Sequence, residues 1–120
     1  MFVKKLSDCE EFAAFDGCRL RELIHPGNDP VELPFSIAIA SVEVGKQTYK
    51  HRLKATEIYY ILAGKGHMHI DDESQEVATG DGIVIPAQSV QWIENTGDQP
   101  LRFAAIVSPP WRAVMDERMD

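Results

Sequence analysis

Apolar residues in this chain gather in short dense runs, separated by glycine, proline and clustered polar residues. The densest run is residues 58–62, Ile58-Tyr59-Tyr60-Ile61-Leu62, between Gly45 and Gly64. β-Branched and aromatic residues in an unbroken run bounded by glycines predict a strand buried on both faces. Because side chains alternate, Glu57, Tyr59 and Ile61 share one face, while Ile58, Tyr60 and Leu62 share the other. Residues 18–25, 35–44, 83–85, 90–94 and 101–107 give further strand signals. Residues 26–30, PGNDP, form a turn-rich connector after the first of them. Gly64-Lys65-Gly66 predicts a tight reversal into residues 67–70, and Asp71-Asp72-Glu73-Ser74 turns the chain back through residues 75–78. In the first segment, Ser7-Asp8 predicts the cap of one helical turn through Glu11-Phe12. Residues 111–120 predict a short acidic helix with Trp111, Val114 and Met115 on one side.

The sum is about eight to ten short strands with little helix, the pattern of an all-β sandwich or barrel. At 120 residues the chain fits one domain, with a barrel core over residues 18–110 and an acidic tail over 111–120. A composition 44% hydrophobic and 26% charged excludes a disordered chain. No apolar run approaches the ~20 residues of a membrane span, so no membrane partner is expected. The first residues lack the apolar core of a secretory signal, and a cytoplasmic location is expected. A net charge of −7 without a basic stripe excludes a nucleic-acid partner. Cys9 and Cys18, in such a chain, are expected as free thiols.

Candidate chemistry concentrates in two stretches. Residues 45–64, GKQTYKHRLKATEIYYILAG, hold an imidazole at His51 and a carboxylate at Glu57. A lone carboxylate is too costly to bury, so Glu57 must reach the rim, pair with a cation or bind a metal. Residues 80–95, GDGIVIPAQSVQWIEN, carry a polar Gln91 between apolar neighbours. Gly45, His51, Glu57 and Gly64 with Gly80, Pro86 and Asn95 resemble, at matching spacing, the paired motifs of the cupin superfamily. The chain departs from that pattern at Leu53 and Gln91, where the family has histidines, and at Gln88, where it has glycine. EIYYILAGKG, GDGIVIP and SPPW resemble small single-domain cupins of the mannose-6-phosphate-isomerase-like type.

The resemblance implies a double-sheet jelly roll. It also implies a site at positions 51, 53, 57 and 91, where His51, Glu57 and Gln91 would weakly hold a divalent metal such as Mn, Fe, Ni or Zn. The competing reading is a metal-free polar cluster in which His51 bonds Glu57 and Gln91 closes the network. Three readings stay open: an enzyme of the dioxygenase, isomerase or decarboxylase kind, a non-catalytic cupin that binds or senses a small molecule, or a small dimeric protein whose residual pocket does nothing measurable. As an enzyme with a metal, Glu57 or His51 is the candidate to move protons; without one, His51 is the candidate base and Tyr59 the acid. The small-molecule ligand is expected inside the barrel, and Tyr59, on the face of Glu57, is expected to reach it. His67 and His69 alternate with apolar Met68 and Ile70 and are expected to face outward. His25 is expected on a surface loop, and Trp92 and Trp111 as packing residues. Apolar residues on both faces of residues 58–62 predict a homodimer.

Overall fold

A computed structural model describes residues 1–120. Eleven strands follow one another: β1 (Glu11–Ala13), β2 (Arg19–Ile24), β3 (Ser36–Val42), β4 (His51–Leu53), β5 (Thr56–Ala63), β6 (Lys65–Ile70), β7 (Glu73–Ala78), β8 (Gly82–Ile85), β9 (Val90–Asn95), β10 (Leu101–Ser108) and β11 (Asp116–Arg118). They form two packed sheets, one ordered β1-β2-β3-β10-β5-β8 and the other β11-β4-β9-β6-β7. The chain is an all-β jelly-roll barrel. Between the sheets, Ile61, Phe103, Leu101, Ile93, Ile85 and Met68 make the main core.

The chain crosses from one sheet to the other between β5 and β6. Gly64 turns there with φ +88°, a conformation that favours glycine. A Cβ on Gly66 would stand 2.5 Å from the Glu94 carbonyl oxygen, so no side chain fits at that corner. What the glycines predicted as a reversal is this change of sheet.

Three expectations about local structure are corrected. β5 is buried on one face only: Glu57, Tyr59 and Ile61 point inward, while Ile58, Tyr60 and Leu62 are exposed. The run belongs to an antiparallel sheet, whose second face needs no cover from its own chain. Glu11 and Phe12 lie in β1, not in a helical turn; the helical piece is the three-residue 3-10 turn Leu6–Asp8, with no side-chain cap. The tail is likewise not a helix. After a 3-10 turn at Ala113–Met115 it enters β11, which pairs antiparallel with β4 and sets Asp116 opposite Leu53. Strand pairing along β4 overrides the weak helical spacing of Trp111, Val114 and Met115.

The outward face of the six-stranded sheet is apolar across four strands. The register lines up Ile37, Ile106, Ile58 and Val84, with Ile39, Ala104 and Tyr60 one step along. Cys9 and Cys18 are free thiols, both buried. No helix is long and apolar enough to cross a membrane.

Candidate functional site

The site forms where β4 and β9, neighbours in one sheet, face β5 in the other. His51 and Gln91 are register partners across β4 and β9. Alternation turns both inward, toward Glu57 and Tyr59 on β5. The Gln91 amide bridges the opposite strand: its Nε2 donates to Glu57 Oε1 at 3.1 Å, and its Oε1 accepts from the Tyr59 hydroxyl at 3.1 Å.

His51 does not bond Glu57. Its Nδ1 lies 2.9 Å from Asp116 Oδ1, and the second oxygen of Asp116 accepts from Trp111 Nε1 at 3.1 Å. A carboxylate can only accept, so Nδ1 carries a proton, and whenever the ring is neutral Nε2 is the free lone pair. That Nε2 is buried and makes no hydrogen bond; Asp16 Oδ2 stands 3.6 Å from it. Asp16 is itself held by the Cys18 backbone N–H, which donates to Oδ1 at 3.1 Å.

The expected cluster therefore splits in two. One half is Glu57–Gln91–Tyr59, threaded into the core, with Tyr59 packed on Phe103 at 4.2 Å between ring centroids. The other is Asp16–His51–Asp116, closed by Trp111. Asp16, Asp116 and the closing role of Trp111 were not read from sequence. Asp16 precedes Gly17, and that pair is an ordinary turn signal. Asp116 lies 65 positions from His51, in a segment with helical spacing.

Burial governs the proton affinities here. It pushes the Glu57 carboxyl up to about 7, against the opposing pull of His51 and the Gln91 hydrogen bond. Burial works to lower the His51 pKa, yet Asp116, Asp16 and Glu57 outweigh it and hold it above the ordinary imidazole value. Tyr59 is raised well above the usual phenol range by burial and by neighbouring Glu57.

A cavity of about 80 Å³ opens beside His51 and Glu57, walled by Asp16, Asp116, Leu53 and Trp111. Neither Tyr59 nor Gln91 lines it. The phenol is thus a core residue that reaches the site only through the Gln91 amide. A larger groove of about 610 Å³ lies elsewhere, along β7 and β8, and holds none of these residues.

The residues at positions 51, 53, 57 and 91 do not fit a divalent metal. Leu53 has no donor and sits in an apolar cluster with Ala55 and Val107. Both ends of the Gln91 amide are engaged, and one nitrogen of His51 is taken by Asp116. No three histidine, cysteine or acidic side chains gather closely enough to hold an ion.

The remaining histidines stand apart. His67 and His69 face outward. His69 Nε2 lies 2.6 Å from Glu94 Oε1, and its ring stacks on Trp92 at 4.2 Å and 3°. Lys50 lies over the same indole at 4.5 Å. His25 is more than a surface residue: the Gly27 N–H donates to its Nδ1, so Nε2 carries the proton and donates to the Trp111 carbonyl at 2.7 Å. It helps to anchor the segment that delivers Asp116.

The sequence model of the cupin domain matches residues 38–107. An uncharacterized protein of Methanocaldococcus jannaschii is 43% identical over 97 residues, which cover 80% of this chain and 77% of that protein. An oxalate-binding protein of Thermotoga maritima is 37% identical over 51 residues, 42% of each chain. Among solved structures, the oxalate decarboxylase of Lactobacillus farciminis in its formate complex superposes with a TM-score of 0.81 at 23% identity. The match covers 94% of this chain and 34% of that one, so this chain spans about a third of its length. A predicted oxalate decarboxylase from Thermotoga maritima superposes with a TM-score of 0.76 at 24% identity, over 90% of this chain and 99% of that one. At these identities the structural likeness carries the fold alone.

Proposed function

The chain belongs to the cupin domain family, and from its site we propose an enzyme that moves protons on a small molecule held in the barrel, without a metal. One observation carries this reading. The buried Nε2 of His51 makes no hydrogen bond, the residue lines the cavity, and Asp116 fixes Nδ1. An imidazole oriented by a carboxylate, with its second nitrogen free, is the arrangement of a general base. Glu57, on the same cavity and titrating near 7, supplies the complementary acid.

The reaction class that suits such a pair is isomerisation next to a carbonyl. His51 Nε2 takes a proton from a hydroxyl-bearing carbon beside a carbonyl while Glu57 protonates the carbonyl oxygen, giving an enediol. The imidazolium then returns its proton to the former carbonyl carbon while ionised Glu57 takes the proton of the other hydroxyl, which completes the shift and restores both groups. Asp116 and Trp111 position the base, and Gln91 positions the acid. The mannose-6-phosphate-isomerase likeness points to the same class, but a sugar phosphate does not suit this site. About 80 Å³ is too small, and no lysine or arginine lines the wall to receive a phosphate.

Hydrogen exchange tests the reading. In deuterated water the protein is expected to speed exchange at the carbons flanking the carbonyl of hydroxyacetone, followed by NMR. His51→Gln is expected to lose at least a hundredfold of that rate, in line with the usual weight of a general base. No acceleration by the wild-type protein refutes it. Leu53 and Gln91, inert where the family has histidines, favour a second reading, a non-catalytic binding protein. Saturable binding without exchange selects it.

We also propose that the chain works as a homodimer, joined through the outward face of the six-stranded sheet. That face presents Ile37, Ile106, Ile58 and Val84 in one line, with Tyr60 and Leu62 exposed beside them. Its centre holds no charge, and a second copy offers the same flat apolar surface in return. Light scattering at micromolar concentration is expected to give twice the chain mass; a single-chain mass overturns this.

A further inference from the structure

The relatives that carry a ligand in their names are associated with oxalate, a dianion. The wall of this cavity has the opposite preference. Asp16, Glu22, Glu57 and Asp116 line it, and no lysine or arginine does. His51 is the one lining side chain able to carry positive charge, and Asp116 already pairs with it. Asp16 Oδ2 stands 3.6 Å from the free Nε2, outside hydrogen-bond reach. A second carboxylate thus faces the imidazole Nε2 with no hydrogen bond between them. Even with Glu57 protonated, the carboxylates of Asp16 and Asp116 outnumber the single imidazole, and such a low-dielectric wall repels an entering anion and favours a cation.

Apart from Ser36 the rest of the wall is apolar, with Leu53, Ala105, Val107 and Trp111 among its residues, so the body of the ligand must be apolar and small. About 80 Å³ is room for roughly five water-sized groups, at ~10–15 Å³ each. Resting on the reading of this cavity as the ligand site, we propose that it takes a small organic cation, an ammonium group on a short carbon skeleton, and rejects carboxylates. The ammonium group sits between Asp16 and the Nε2 side of His51, and its skeleton lies on Leu53 and Trp111.

Three ketones of one skeleton and different charge test this: aminoacetone, hydroxyacetone and pyruvate, with oxalate as a fourth probe. Each is titrated near neutral pH into the intact protein, and the Trp111 indole N–H and His51 ring signals are followed by NMR. Aminoacetone is expected to bind at least tenfold more tightly than hydroxyacetone, and pyruvate and oxalate to give no saturable shift. Asp16→Asn is expected to narrow the gap between the first two to less than threefold. Glu22→Gln, nearer solvent, is expected to narrow it in the same direction and serves if the first variant does not fold. Pyruvate or oxalate binding as tightly as aminoacetone overturns the proposal, and so does the absence of any shift with all four. Hydrogen exchange stays a separate readout. Aminoacetone bound without exchange sinks the catalytic reading and leaves the ligand class standing, whereas exchange with the charge order inverted does the reverse.

Discussion

Two imidazole–carboxylate pairs lie on opposite sides of one sheet. His51 and Asp116 face the barrel at 2.9 Å, with side chains 5% and 6% exposed; His69 and Glu94 face outward at 2.6 Å, 19% and 38% exposed. The shorter contact is the weaker device. On the outside, water screens the pair and either partner can be lost cheaply. Inside, each group depends on the other, because neither charge has solvent to fall back on. Distance therefore says little here about which pair matters; the supply of water says more.

Deleting each imidazole breaks the comparison most directly. His51→Leu leaves Asp116 and Asp16 buried without their shared partner and is expected to cost about 3–5 kcal/mol in urea unfolding. A loss under about 1 kcal/mol would mean that solvent reaches the inner pair.

Acidity sharpens the contrast next. The Glu57 carboxyl is raised in the folded chain to about 7, from an ordinary value of 4.5. Below pH 4.5 both states hold the proton and the fold suffers nothing. Between 4.5 and 7 the unfolded chain ionises first, so stability is expected to fall by about 3 kcal/mol and to level off above pH 7. His51, also raised, extends the decline upward from its ordinary value of 6.5, since its bound proton favours the fold until pH climbs past its folded value. Denaturant melts from pH 4.5 to 8 should show this slope, and Glu57→Gln should flatten most of it. An unchanged slope in that variant would place its source elsewhere.

Rebuilding the missing donors asks whether the inner face still has the geometry of a metal site. Residue 53 is inward and buried on β4, on the same face as His51. Leu53→His with Gln91→His is expected to raise Ni or Zn affinity about a hundredfold, some 2.7 kcal/mol by calorimetry. A folded variant that binds no more tightly than wild type means residue 53 does not point where a ligand must.

The smallest effect belongs to the outer pair. His69→Ala is expected to cost about 0.5–1 kcal/mol, mostly from lost stacking on Trp92. A cost matching that of His51→Leu would erase the distinction between the two faces.

The barrel was legible because period-two alternation and punctuating glycines survive in single residues: Glu57, Tyr59 and Ile61 did share the inner face. What stands on the far side of a strand was less so. An apolar outer face at Ile58, Tyr60 and Leu62 reads the same whether a second layer or nothing in its own chain covers it. In the site, positions 51, 57 and 91 could be placed from the resemblance to the cupin motifs. Their bonding could not, because Asp116 reaches His51 only after the tail has paired with β4. The departure at Gln88 was visible as a broken motif, yet its backbone keeps φ +72°, the left-handed conformation that favours glycine. Its N–H still donates to the Leu53 carbonyl at 2.8 Å. The turn outlived the residue type suited to it.

The pairing of β11 with β4 also sets a timetable for synthesis. A ribosome adds ~5–20 residues per second, so the 65 positions between His51 and Asp116 take on the order of several seconds to emerge. Through that interval a nascent chain holds β4 with an open edge and an imidazole lacking its carboxylate. Ribosome-bound chains arrested before Asp116 would therefore carry much of the barrel but an unassembled dyad. Chaperones that bind exposed strand edges have their opening in that window.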